Sequence, residues 1–221
     1  MFLTLTKGIL GMKKSAVVIG SLLIGSCAFA MTGDELQSAI DAAEDGAVVE
    51  VTSDVTLDST LTVVGKAIVL KSPDGQTNVI SSAQGVTSDM LQLQRFVSDD
   101  GTVTNNASLT VTNLVFDGRM QNRRLIYLKS DGMKYGTVRL GEGTVVRNFD
   151  VNISTGGIVA MNPGTFEMYD GVVVSNIVGH TYASFANIMG GTFNMYGGLI
   201  TGCRGVWGSK TGAAQDGTVY V

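Results

Sequence analysis

Proline is almost missing from this chain, with 2 among 221 residues. Turns must therefore be built from glycine, asparagine and aspartate, and glycine is frequent at 29 residues. Histidine occurs once, at His180, and reads as a loop residue with no chemical role. Cysteine occurs twice, at Cys27 and Cys203. Cys27 falls in a leader segment, which leaves Cys203 single. It reads as a small turn residue, the alternative being a reactive thiol or an intermolecular disulfide. Basic residues are outnumbered, 15 Lys and Arg against 19 Asp and Glu, for a net charge of −4. That balance argues against nucleic acid, whose phosphates need a basic face. Long apolar runs are missing as well, since Ala16–Ser26 is too short to span a bilayer.

What is present begins with that leader. Lys13 and Lys14 form a basic start, Ala16–Ser26 an apolar centre, and Ala28-Phe29-Ala30 a small-residue cleavage site. Residues 1–30 are thus expected to be a signal peptide, with Met12 the natural start and Met31 the first mature residue. Removing Lys7, Lys13 and Lys14 takes the net charge from −4 to −7. The alternative is lipidation of Cys27, since Ile24-Gly25-Ser26-Cys27 is a degenerate lipobox; membrane attachment would then run through that lipid or an uncleaved leader. Thr32-Gly33-Asp34-Glu35 is a capping box. Leu36, Ile40 and Ala43 follow at helical spacing, so residues 34–45 are expected to form an amphipathic helix. Within residues 31–46 that helix is read as an N-terminal cap.

The rest of the chain repeats. GTFNMYGGLITGC from Gly191 to Cys203 matches GTFEMYDGVVVSN from Gly164, GTVRLGEGTVVRN from Gly136 and, more weakly, ASLTVTNLVFDGR from Ala107. The steps between copies are 27, 28 and 29 residues. In each copy apolar residues alternate with polar ones: Leu109/Val111, Val138/Leu140, Phe166/Met168 and Phe193/Met195 enclose Thr110, Arg139, Glu167 and Asn194. Period two means a half-buried strand. A β-branched run follows each copy's break, and a third short run precedes each copy, as in Ile158–Met161. Three strands per 27–29-residue coil, without the helix or leucine grid of other repeats, predict a parallel β-helix over residues 47–221. Shorter runs at Val48–Val51, Val55–Leu57, Leu61–Val63, Ala67–Leu70, Asn78–Ile80 and Met90–Leu93 are expected to be the first coils, and Ser98–Gly101 an exposed turn.

The pattern GGTFNMYGGLI at Gly190–Ile200 resembles coils of right-handed parallel β-helix proteins of the pectate-lyase-like superfamily. More narrowly, it resembles repeats of bacterial surface and adhesin-like proteins. The resemblance implies an all-β, right-handed parallel β-helix solenoid. It leaves activity open, because that superfamily holds lyases, hydrolases and non-enzymatic stalks. Polygalacturonase-like members carry Gly-His-Gly with paired aspartates. This chain has Gly179-His180-Thr181, and Asp99-Asp100-Gly101 has no partner motif. Lyase-like chemistry needs a Ca²⁺ cluster beside a basic residue, whereas the column Arg139, Glu167, Asn194 offers one carboxylate per coil, with Asp117 and Arg119 nearby at most. Arg139 and Glu167 read as an ion pair between adjacent coils.

No catalytic residue, metal or cofactor is expected. The candidate binding residues are Tyr169 and Tyr196, which follow Met168 and Met195 in register, with Arg139, Glu167 and Asn194 beside them. Exposed stacked aromatics offer flat apolar faces to sugar rings; cross-strand packing alone is the alternative. Asn148 and Asn176 share a place in successive coils and suit a left-handed corner with a side-chain ladder; Cys203 is expected as the next member. The functional expectation is an exported bacterial cell-surface or secreted module, adhesin-like or contacting a polysaccharide or surface glycan, without catalysis of its own. The alternative is a fragment of a polysaccharide lyase or hydrolase. The chain is also expected to continue beyond Val221, because no C-terminal cap follows Thr218–Val221. An uncapped end would self-associate end to end.

Overall fold

The computed structural model describes residues 30–129, 136–153, 156–180, 183–205 and 217–220. The leader, Cys27, the segment 206–216 and Val221 lie outside the described residues.

Alternation in the sequence becomes three parallel sheets. The first sheet contains Ala47–Glu50, Ala67–Lys71, Ala107–Thr112, Gly136–Leu140, Thr165–Met168 and Thr192–Met195, stacked in that order. The second contains Val55–Leu57, Asn78–Ser82, Leu114–Asp117, Val145–Val151, Val173–Gly179 and Leu199–Thr201, with Arg204–Gly205 also on Val173–Gly179. The third contains Leu61–Val64, Leu91–Gln94, Ile126–Lys129, Val159–Asn162, Ala183–Ile188 and Gly217–Tyr220. The chain visits the three sheets in fixed rotation, one strand to each per circuit. This arrangement is compatible with a parallel β-helix.

Register follows the repeat. Leu109, Val138, Phe166 and Phe193 align across the first sheet, as do Val111, Leu140, Met168 and Met195. The first three members of each column are buried. The last circuit departs from expectation: Phe193 is only half-buried and Met195 is 47% exposed. Among the described residues, Thr192–Met195 has a neighbouring strand on one side only, so no described strand stacks over these two side chains. Phe166, Phe185 and Phe193 still form an aromatic cluster with centroids 5.8–6.1 Å apart. The glycine that opens the copies at 136, 164 and 191 permits the circuits to approach. A Cβ at Gly191 would lie 2.7 Å from the Gly164 carbonyl oxygen, and one at Gly136 would fall on the Ala107 carbonyl.

The early circuits are irregular. Ala47 aligns with Ile68, and Ile68 with Leu109, so these circuits span 21 and 41 residues. The long one carries an antiparallel hairpin, Phe96–Val97 with Val103–Asn105, whose tip is Ser98–Gly101. The hairpin explains why the period is legible only from Ala107.

The helix runs over Gly33–Ala42, slightly earlier than the expected 34–45, and both bonds of the Thr32/Glu35 capping box form. Ala43 leaves the helix with extended backbone at the C-cap. Leu36, Ala39 and Ile40 are buried in the common core. Gln37 reaches the edge strand Leu61–Val64 like a short piece of strand. Its Oε1 accepts from the Thr62 N–H at 2.7 Å, and its Nε2 donates to the Thr62 carbonyl at 3.0 Å. Lys66 Nζ donates to the carbonyls of Asp41 and Ala43, which ties down the helix C-terminus.

Candidate functional site

The outward residues of the first sheet form three parallel columns. Ser108, Thr137, Thr165 and Thr192 make one, and Thr110, Arg139, Glu167 and Asn194 make the next. Gly141, Tyr169 and Tyr196 follow the strand ends, each N–H bonded to the carbonyl one circuit back. The residues singled out in the sequence therefore share one face. They also touch in series. Arg139 Nη1 donates to Ser108 Oγ at 2.8 Å, and Arg139 Nε lies 2.7 Å from Glu167 Oε2. The Tyr169 hydroxyl donates to the same Glu167 oxygen at 3.2 Å. The Tyr169 and Tyr196 rings are stacked, centroids 5.0 Å apart and 29° between planes.

Tyr196 is 60% exposed and Tyr169 37%. Partial burial pushes the Tyr169 phenol up, and its bond to the Glu167 carboxylate adds to the effect. The phenol therefore remains a donor at neutral pH. The position one circuit before Tyr169 is Gly141, which brings no ring, so the aromatic surface begins at Tyr169. What this row offers is a flat apolar patch, a guanidinium, a carboxylate and an amide on neighbouring strands. Ser108 was not foreseen; its place two residues before Thr110 was the only signal.

A second polar column sits at the corner inside the second sheet. Asn148 and Asn176 both take left-handed backbone, φ 59° and 53°, and Asn176 Nδ2 donates to Asn148 Oδ1 at 2.8 Å. The ladder continues downward: Asn148 Nδ2 and Arg147 Nε both donate to Asp117. Burial alone would raise the Asp117 carboxyl, but donation from the Arg119 N–H, Arg147 and Asn148 outweighs it and holds the group low. Cys203 is not the next member, contrary to expectation. Register places Gly202, φ 60°, above Asn176, and Cys203 above Ile177. The connection between the first and second sheets is one residue shorter in this circuit, 195 to 199 against 168 to 173, which shifts the column. Cys203 packs half-buried against the core. Burial raises its thiol, with partial relief from a bond to the Ile177 backbone, so it is a weak nucleophile.

His180 pairs through Nε2 with Asp150 Oδ1 on the adjacent circuit. No motif or spacing pointed to Arg123. It is fully buried, and its five N–H groups reach five acceptors: the carbonyls of Leu57, Ser59, Ser88 and Asp89, and Ser82 Oγ. Burial pulls its guanidinium down to about 10, against the attraction of Asp89 and Asp58, so it stays charged at neutral pH. Next to it, Arg124 pairs with Asp89 and lies over the Tyr127 ring at 4.2 Å. These two arginines pin the corner between the second and third sheets across three circuits.

Among the described residues, no group of three or more His, Cys, Asp or Glu could hold a metal ion. Comparison of the chain with family models, with curated proteins and with solved structures returned no match.

Proposed function

We propose that this chain is a right-handed parallel β-helix, akin to the pectate-lyase-like architecture, and that it serves as an exported scaffold contacting carbohydrate on the outer face of its first sheet. The observation that carries the reading is the exposed Tyr169/Tyr196 stack joined to the Arg139–Glu167 pair. Sugar rings present C–H faces that pack on aromatic planes, and hydroxyls that need donors and acceptors at the rim. The tyrosine pair supplies the plane. Arg139 supplies donors, Glu167 acceptors, and Asn194 both. A carboxylate already held by a guanidinium and a phenol is better suited to accepting from hydroxyls than to passing protons, which favours binding over catalysis. The leader-like residues 1–30 support export, and the repeat pattern supports an adhesin-like setting on a bacterial surface.

The test is retention on insoluble polysaccharides. The Tyr169→Ala/Tyr196→Ala double variant should lose retention by roughly tenfold or more, since each aromatic face contributes on the order of 1 kcal/mol. Its circular dichroism should match the parent. Equal retention in variant and parent would remove the site.

A further inference from the structure

The tyrosine stack borders a gap. Its column, read across the first sheet, is Lys71, Thr112, Gly141, Tyr169 and Tyr196. Lys71 is held by Glu50 and Asp74. Thr112 brings a short side chain and Gly141 none. The Tyr169 and Tyr196 rings lie face to face with centroids 5.0 Å apart, close to the ~4.8 Å between neighbouring strands. The stack therefore runs across the sheet, one ring per circuit. The Tyr169 face turned away from Tyr196 looks onto the circuit of Gly141, where a ring is missing.

The backbone does not require glycine at 141. Gly143 and Gly171, in nearby turns, take left-handed φ of 74° and 77°, and Gly141 does not. A Cβ at Gly141 would meet Thr112 Cγ2 at 2.9 Å and the Val111 carbonyl oxygen at 3.4 Å; among the described residues no other atom comes within 4 Å of it. The one tight contact is thus a methyl group on the side away from Tyr169, and the side towards Tyr169 is open. Thr112 and Tyr169 stand two circuits apart, roughly 9–10 Å, so the space between them is one ring thick. Polar groups border it. Arg139, two residues before Gly141, is 40% exposed while it bonds Ser108 and Glu167. Glu142 follows Gly141 and is exposed. Thr112 supplies a hydroxyl.

We propose that the gap over Gly141 is a subsite for one neutral pyranose with equatorial hydroxyls, stacked on the open face of Tyr169, an assignment that rests on the carbohydrate reading of this face. Equatorial hydroxyls leave only C–H bonds on the two faces of the ring, so it is thin and apolar above and below. Its rim hydroxyls meet the guanidinium of Arg139, the carboxylate of Glu142 and the Thr112 hydroxyl. An axial hydroxyl would be pressed against the Tyr169 ring or the Thr112 methyl without a partner. A uronic acid fits worse: its carboxylate would meet Glu142 and Glu167, and Arg139 is already paired with Glu167.

Filling the gap tests the subsite. In Thr112→Ser/Gly141→Tyr the first change removes the methyl that a Cβ would strike, and the second continues the ladder into the gap. Thr112→Ser alone is the control, and both variants should keep the parent's circular dichroism. Calorimetric titration of the full chain with cellopentaose should show saturable binding, retained in Thr112→Ser and weakened roughly tenfold or more in the double variant. Pentagalacturonate should bind the parent less tightly. A readout without any variant is the ring signals: cellopentaose should shift Tyr169 more than Tyr196, and the reverse contradicts the subsite. If Thr112→Ser/Gly141→Tyr binds as well as the parent while Tyr169→Ala/Tyr196→Ala does not bind, the subsite is overturned and the carbohydrate face stands. If Tyr169→Ala/Tyr196→Ala binds as well as the parent, both fall. A parent that prefers pentagalacturonate, or binds neither sugar, also overturns the assignment.

Discussion

At the scale of single residues, Arg123 is the most consequential side chain outside the candidate site. A buried guanidinium is tolerable only when every N–H is met, and here five acceptors from two earlier circuits meet it. Arg123→Ala would strand four carbonyls and a hydroxyl in a corner too tight to relax. A loss of about 3–5 kcal/mol is expected, read as a lowered urea midpoint with unchanged slope. Arg123→Lys keeps the charge but has three donors in place of five, so it should fall between parent and alanine. A midpoint within error of the parent for Arg123→Ala would mean that the corner holds without the staple. No sequence pattern announces this residue. Its acceptors lie as far as 66 residues upstream, and only the winding brings them together.

At the scale of elements, the columns of the first sheet set the energetics. Phe166 is fully buried between neighbouring circuits, whereas Phe193 is half-buried, with a neighbouring first-sheet strand on one side only among the described residues. Phe166→Ala should cost about 3–5 kcal/mol, and Phe193→Ala about half that or less, because cavity cost scales with the packing lost. Equilibrium denaturation of the two variants checks the ordering; equal costs would contradict the register at the last circuit. Much of this element structure was legible. Alternation at Val138–Leu140 and Phe166–Met168 determines an inward and an outward face, and the 27–29-residue steps align them. Legibility ended where spacing changed. The hairpin at 96–105 stretched one circuit, and a connection shorter by one residue put Gly202, not Cys203, above Asn176. Burial of Met195 was expected from alternation alone, but alternation reports which face a residue takes and not whether another strand lies above it.

At the scale of the whole molecule, chemistry is divided by surface. Residues 31–58, where the helix packs, hold eight acidic side chains and no basic one, and the outer face of the first sheet carries the tyrosine stack. The candidate row was legible because register alone puts Arg139, Glu167 and Asn194 in one column with Tyr169 and Tyr196 beside it. The bonds that join them, through Ser108 and the Tyr169 hydroxyl, depend on rotamers that a sequence does not determine. The central claim is that this face contacts sugar. Its most direct measurement is a nuclear magnetic resonance titration with a panel of plant and microbial oligosaccharides, following assigned tyrosine ring signals. The account predicts that a binding oligosaccharide shifts the rings of Tyr169 and Tyr196 while leaving Tyr127, held under Arg124 on the third sheet, unmoved. Oligosaccharides that leave both rings unshifted across the panel, or that shift Tyr127 instead, would contradict it.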